Sequence, residues 1–85
     1  MTYKIKIYQN AQKQLLALPS QERHKVVIEI DKLEDTPRQH GCKKLRDTNL
    51  WRIRIGQYRI VYEINDRTEL VTILKIARRR EDTYK

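Results

Sequence analysis

The chain opens with an alternation of polar and apolar positions. In residues 3–8, YKIKIY, Ile5 and Ile7 fall on one side of an extended chain and the two lysines fall on the other. Because side chains in a strand alternate between its two faces, this pattern predicts a strand with one buried face.

Two helical patterns follow, separated only by Pro19 and Ser20. The first ends before the proline, with Asn10 as its predicted N-cap, and the second starts from Ser20 as N-cap and ends at residues 35–37. With so short a connection, the two helices are predicted to form an αα-hairpin. Their apolar positions at helical spacing are Ala11, Leu15 and Leu18 in the first helix and Val26, Val27, Ile30 and Leu33 in the second.

The second half of the chain has the pattern of three strands. Residues 36–49 hold no period and are predicted to be a basic loop. Residues 50–55, 58–65 and 69–77 are rich in β-branched and aromatic residues, and their connectors are short enough for hairpins. The predicted fold class is α+β in the order β-α-α-β-β-β, an antiparallel sheet with a two-helix hairpin on one face. At 85 residues, the length supports one domain, residues 1–85.

Positive charge is concentrated in that second half. The formal net charge is +8 and the pI is about 9.9. Residues 1–42 hold seven Lys and Arg against five Asp and Glu, and residues 43–85 hold twelve against six. Clustered positive charge attracts polyanions by counterion release, which makes nucleic acid the first candidate ligand and an acidic protein the second. The alternative is a basic surface that is merely solvated.

Several classes of chemistry find no support in the sequence. One cysteine, Cys42, cannot form an internal disulfide, and no apolar run has the length of a signal peptide or a membrane span, so we expect a cytoplasmic protein. His24 and His40 have no close partners for a metal site or a hydrolase triad. We therefore expect no metal and no other cofactor.

Alternation within the strands places a group of arginines together. Arg52 and Arg54 share the face opposite Ile53, and Arg59 in the next strand emerges on the same face. If the apolar face lies against the helices, these guanidiniums project from the open face roughly 7 Å apart, a spacing suited to successive phosphates. The third strand ends in three arginines, residues 78–80, and Tyr84 follows where it could stack on a base or simply pack on the sheet edge.

Two segments carry a resemblance to a known family. They are KLRDTNLWRIRIGQYRIVYEI, residues 44–64, and LKIARRREDTY, residues 74–84. After a two-helix segment, they resemble the RelE/ParE toxin superfamily over essentially the whole chain. In that superfamily a K-L element precedes a strand with alternating basic residues, a Y-R-x-x-Y motif, and a last strand ending in arginine and a nearby tyrosine. The match is less specific for the branch, because the Y-R-x-x-Y motif occurs in RNA-cleaving and gyrase-poisoning members alike.

Arg52 and Arg54, the two basic residues of the strand predicted at 50–55, resemble the basic pair of the RNA-cleaving RelE branch and imply that branch. The resemblance then implies the toxin of a type II toxin–antitoxin system, a ribosome-dependent and metal-independent mRNA endoribonuclease that inhibits translation. Attack by the ribose 2′-OH would leave a 2′,3′-cyclic phosphate and a 5′-OH. The implied partners are mRNA in the ribosomal A site, the ribosome and a cognate acidic antitoxin, with no membrane. The alternatives are a ParE-like DNA gyrase inhibitor without nuclease activity and an inactive nucleic-acid or antitoxin-binding module.

The same resemblance assigns the site residues. Either Arg79 or Arg80 fits the terminal arginine, and Arg79 is favoured. Because arginine stays protonated, the base is left open between Tyr84, a carboxylate such as Glu81, and a ribosomal or solvent group. The implied catalytic residues are Arg52, Arg54, Arg59, Arg79 and Tyr84, and the implied RNA-binding residues are Lys43, Lys44, Arg46, Arg78 and Arg80.

Overall fold

The computed structural model describes residues 2–78 and confirms the predicted order of elements. One strand is added, because the segment predicted as a loop contains a strand of two residues, too short to show a period. Neither helix within residues 2–78 is long and apolar enough to cross a membrane. The elements are β1 (Lys4–Ile7), α1 (Gln9–Leu16), α2 (Ser20–Lys32), β2 (Lys43–Lys44), β3 (Leu50–Ile55), β4 (Tyr58–Asn65) and β5 (Leu70–Arg78).

The five strands form one sheet in the order β1-β5-β4-β3-β2. The pairs β2 with β3, β3 with β4 and β4 with β5 are antiparallel, whereas β1 runs parallel to β5. The α+β fold class is confirmed, but the sheet is mixed rather than wholly antiparallel. A parallel pair needs a long crossover connection, and the helices together with β2, β3 and β4 supply it.

The helix starts differ slightly from the prediction. Asn10 lies inside α1, whose N-cap is Tyr8, and Ser20 is the first residue of α2, whose N-cap is Pro19. Neither cap residue makes a side-chain capping hydrogen bond. The two predicted N-caps are therefore wrong by one or two positions, because Tyr8 and Pro19 already hold the extended backbone that precedes each helix.

The core lies between the helix pair and one face of the sheet. Burial alternates strictly along β4, where Tyr58, Ile60, Tyr62 and Ile64 are buried and the residues between them are half-buried. We call the sheet side that carries these four residues the covered face and the opposite side the open face. The helices contribute the predicted apolar positions Ala11, Leu15, Val26, Ile30 and Leu33 to the same core, whereas Val27 is exposed.

Tyr62 holds the segment after α2 from inside the core. Its side chain is fully buried, and its Oη donates a hydrogen bond of 2.8 Å to the carbonyl of Pro37. Burial raises the pKa of Tyr62 far above its ordinary value, so the hydroxyl stays a donor. Gln39 adds a hydrogen bond of 3.3 Å from its amide to the carbonyl of Glu29. The segment leading to β2 is therefore attached both to the core and to α2.

Asp66, in the turn between β4 and β5, holds the same segment through hydrogen bonds at the protein surface. Its carboxylate accepts a hydrogen bond of 2.6 Å from Tyr3 Oη and two from the Arg38 guanidinium, at 2.8 and 3.2 Å. The guanidinium carbon of Arg38 also lies 5.1 Å from the centre of the Trp51 ring, within cation–π range. The hydrogen bonds from Arg38 and then Tyr3 lower the pKa of Asp66.

This cluster predicts a stability profile that depends on pH. Because the folded pKa of Asp66 lies below its unfolded value, its contribution is complete above about pH 4 and is lost as the pH falls through the folded pKa. In urea unfolding, the protein should be more stable than Asp66→Asn by a constant margin between about pH 5 and 7, and the margin should shrink below about pH 4.

The matched control is Asp31→Asn. The Asp31 carboxylate on α2 has no hydrogen-bond or ion-pair partner within residues 2–78, so its substitution should show a much smaller margin. A margin for Asp66→Asn that does not change with pH would contradict the role given to its charge.

Candidate nucleic-acid interface

Arg52, Arg54 and Arg59 lie together on the open face. In β3 the buried Ile53 separates the first two, and in β4 the third lies between buried neighbours. The strand register places Arg54 directly opposite Arg59 and places Arg52 opposite Val61. Because directly opposite residues in a sheet share a face, the three guanidiniums project from the same side.

Two directly opposed pairs on the open face carry like charges. They are Arg54 with Arg59, between β3 and β4, and Lys43 with Arg52, between β2 and β3. Like charges directly opposite each other destabilise a sheet. Both ion pairs found within residues 2–78 lie elsewhere, so no carboxylate there neutralises Lys43, Arg52 or Arg54. A local conflict of this kind is typical of a functional site, and here an anion would relieve it.

A cavity of about 130 Å³ opens beside the second pair and is lined by Gly41, Lys43, Arg52 and Arg54. It is several times larger than the roughly 30 Å³ that one water molecule occupies, so a phosphate group has room in it. The backbone of Gly41, with φ of +94°, adopts a conformation that other residues rarely take. Three cations around one concave space make it a suitable anion site.

Three lysines on the open face were missed by sequence reasoning. Lys4 and Lys6 pair with Leu70 and Thr72 across the parallel β1–β5 ladder. The alternation in β1 did place these lysines opposite the isoleucines, but no local pattern shows that β1 docks beside β5. Their membership of the open face therefore depends on a tertiary contact.

The third lysine, Lys75, was hidden by a β-bulge. Counting by two from Val71 and Ile73, both buried, would place Lys75 on the covered face. A register shift at Val61 and Tyr62 leaves one extra residue in β5, so Lys75 lies opposite Val61 and is exposed. A bulge reverses the alternation beyond it, and the sequence gives no sign of this one.

The open face carries nearly all of the net positive charge. Within residues 2–78 it holds seven of the sixteen Lys and Arg and one of the nine Asp and Glu, which is Glu63. The remaining nine basic and eight acidic residues nearly balance. Charges that served only solubility would be dispersed, so this concentration favours a polyanion-binding surface. The seven are Lys4, Lys6, Lys43, Arg52, Arg54, Arg59 and Lys75.

Two residues predicted to bind RNA lie on the other side of the sheet. Lys44 pairs with Trp51, and Arg78 pairs with Tyr58, so both are exposed at the edge of the covered face. The Arg78 guanidinium donates a hydrogen bond of 3.0 Å to the Gln57 amide oxygen. The register thus places these two residues on the opposite side of the sheet from Arg52, Arg54 and Arg59.

The remaining predicted residues are Arg46 and four residues near the end of the chain. Arg46 is exposed between β2 and β3. Arg79, Arg80, Glu81 and Tyr84 lie outside the described residues, so their assignments remain predictions.

A comparison with protein families identifies the chain. The model for the ParE toxin of type II toxin–antitoxin system, parDE, matches residues 5–83. The chain belongs to the RelE/ParE superfamily of toxins. This confirms the resemblance found in the sequence.

Solved RelE structures agree with this membership. The toxin is similar to the RelBE2 toxin–antitoxin complex of Mycobacterium tuberculosis, with a TM-score of 0.84 and 28% identity over 93% of this chain and 100% of that one. For the archaeal RelE–RelB complex of Pyrococcus horikoshii, the TM-score is 0.82 and the identity 33%, over 93% and 97%. A free E. coli RelE mutant, at 22% identity and a TM-score of 0.80 over 96% and 88%, shares the fold. The curated proteins contain no sequence match.

The opposed arginines predict that one of them lowers the stability of the toxin. Arg54→Gln removes the repulsion while keeping most of the side-chain length, so it should raise the free energy of unfolding by about 0.5 kcal/mol at low salt. The gain should shrink at about 0.5 M salt, where exposed charges are screened. Urea unfolding at both salt concentrations measures it.

Arg67→Gln provides the control, since Arg67 is exposed in the turn after β4, at the opposite end of that strand from Arg59 and Arg54. It should show no comparable gain. If Arg54→Gln is no more stable than the native toxin at low salt, the repulsion is not significant.

Proposed function

We propose that the toxin is a ribosome-dependent endoribonuclease that cleaves mRNA and thereby inhibits translation. The observation that carries this proposal is the pair of like-charge contacts on the open face, Arg54 with Arg59 and Lys43 with Arg52. An RNA backbone supplies the negative charge that residues 2–78 do not offer to Lys43, Arg52 and Arg54. The similarity to RelE proteins at 28% and 33% identity supports the same branch.

The arginine group is suited to stabilising the transition state of RNA cleavage. As the ribose 2′-oxygen attacks the adjacent phosphorus, the bond to the 5′-oxygen breaks, leaving a 2′,3′-cyclic phosphate and a 5′-OH. Negative charge grows on the non-bridging oxygens during this step. Arg54 and Arg59 lie directly opposite each other, so two planar guanidiniums can donate to one phosphate. Arg52 and the cavity beside it would hold a neighbouring phosphate.

The proton acceptor is not found within this group. Arginine stays protonated and makes a poor base. Glu63 is the one carboxylate on the open face of residues 2–78, but it lies four residues along β4 from Arg59, roughly 13 Å away. It is too far to act on the same phosphate. The proposed acceptors remain Tyr84, Glu81, or a ribosomal or solvent group, with Arg79 completing the cationic site.

We also propose a cognate acidic antitoxin as the partner that neutralises the toxin. The two similar structures named above are complexes with such partners. An acidic segment over the open face would occupy the cations that RNA needs. Charge steering then predicts association that is fast at low salt and slows steeply as salt rises, which stopped-flow mixing measures. An association rate that is insensitive to salt would exclude binding through this face.

A second candidate function is inhibition of DNA gyrase without nuclease activity. It is favoured by one observation, that the matching family model is that of the ParE toxin. In this alternative the open face binds protein instead of RNA. The two functions can be distinguished in a cell, because the endoribonuclease would cut mRNA and the gyrase inhibitor would lead to breaks in chromosomal DNA.

The deciding experiment induces the native toxin, Arg59→Ala and Arg67→Ala, and maps new 5′-hydroxyl ends in mRNA. The native toxin and Arg67→Ala should produce ends in phase with codons. Arg59→Ala should reduce their yield at least about 100-fold, as expected for the loss of one preorganised donor.

Because Arg59 is half-buried, circular dichroism should verify that its variant folds, and Arg54→Gln provides a second test with a stable fold. Chromosomal breaks without mRNA cleavage would establish the gyrase alternative. Full cleavage by both Arg59→Ala and Arg54→Gln would overturn the assigned site.

A further inference from the structure

We propose that Lys75, Lys6 and Lys4 extend the arginine group, which is Arg52, Arg54 and Arg59, into a diagonal track across the open face. This track holds the backbone of a single RNA strand several nucleotides from the cleaved bond. The proposal rests on the proposed function, since it assigns the same RNA a longer path. Nothing in the arginine group itself requires these lysines.

The strand register defines the direction of the track. Arg59 of β4 pairs with Ala77 of β5, and Lys75 lies two residues from Ala77 on the same face of β5. Lys75 is therefore a diagonal neighbour of Arg59, roughly 7–8 Å away. Lys6 pairs with Thr72 on the far side of β5. Because Thr72 lies three residues along β5 from Lys75, this step is longer, about 11 Å. Lys4 follows on the same face of β1, roughly 7 Å further.

The cations lie in one line across β4, β5 and β1, and its continuity with the arginines of β3 and β4 favours RNA over an acidic protein. Two of the three steps, at roughly 7–8 Å, are comparable to the separation between successive phosphates of an extended single strand, and the step from Lys75 to Lys6 is longer. A positively charged groove that follows the backbone is typical of single-strand binding. By these distances the track from Arg59 to Lys4 is about 25 Å long, or three to four phosphate separations.

Exposure and charge along the track also fit this role. Lys4, Lys6 and Lys75 are exposed, and none of their side chains has an ion-pair or hydrogen-bond partner within residues 2–78. Glu63, the one acidic residue that residues 2–78 place on the open face, lies on β4, beside the track and two strands from β1. A phosphate backbone therefore meets a continuous line of cations.

The test compares Lys4→Gln/Lys6→Gln with Lys13→Gln/Lys25→Gln. The control lysines are equally exposed but lie on α1 and α2. The probe is a fluorescent ten-nucleotide RNA with 2′-O-methyl sugars, which have no free 2′-OH to attack the phosphate, and its binding is measured by anisotropy between about 50 and 300 mM salt. The first variant should lower the slope of log K against log salt by about 1.4, or 0.7 for each lost phosphate contact. The control should leave the slope unchanged.

Probe length provides a second measurement. The native toxin should bind the ten-nucleotide RNA more tightly than a four-nucleotide RNA, which is too short to reach from Arg59 to Lys4, and Lys4→Gln/Lys6→Gln should lose most of this difference. Equal slopes for the two double variants, or no salt-dependent binding by the native toxin, would overturn the track. A loss of affinity for a ten-residue glutamate peptide without a loss for RNA would assign the lysines to a protein-binding surface and overturn it equally.

Failure of the nuclease proposal gives a different result. A native toxin that binds the probe through Lys4 and Lys6 but produces no mRNA cleavage in cells would remove the proposed activity and leave the track in place.

Discussion

The packing of one sheet face against α1 and α2 is the constraint on which the rest of the molecule depends. Tyr58, Ile60, Tyr62 and Ile64 are buried there, and alternation then forces every residue between them to the opposite side. The hydrophobic core and the basic surface are thus two results of one pattern. A substitution that slipped β4 by one residue would bury Arg59 and expose the tyrosines, so register and candidate function are coupled.

The open face shows a conflict between stability and binding. Opposed like charges, Arg54 with Arg59 and Lys43 with Arg52, oppose sheet formation, and the core on the other face must offset them. Asp66 and Tyr62 hold the segment that leads into β2, which keeps Lys43 beside Arg52 despite their repulsion. An RNA or an acidic antitoxin that neutralised these charges would stabilise the folded toxin by mass action.

Local periodicity predicted the part of the site that lies in β3 and β4. Arg52, Arg54 and Arg59 each neighbour a buried residue, so period two was sufficient to place them on one face. It could not place Lys75, because an extra residue in β5 reverses the alternation, or Lys4 and Lys6, because the parallel pairing of β1 joins segments far apart in sequence. The same locality explains why β2 was missed and why Lys44 and Arg78 were grouped with residues on the opposite face.

We propose that an RNA strand binds the open face and not the helices. The most direct measurement is NMR titration of the isotope-labelled toxin with an uncleavable single-stranded RNA, followed through backbone amides and arginine Nε–Hε groups. If RNA binds the open face, the shifts should concentrate in β3, β4 and β5 and in the side chains of Arg52, Arg54 and Arg59. Shifts confined to the outer surfaces of α1 and α2, with those arginines unperturbed at saturation, would contradict it.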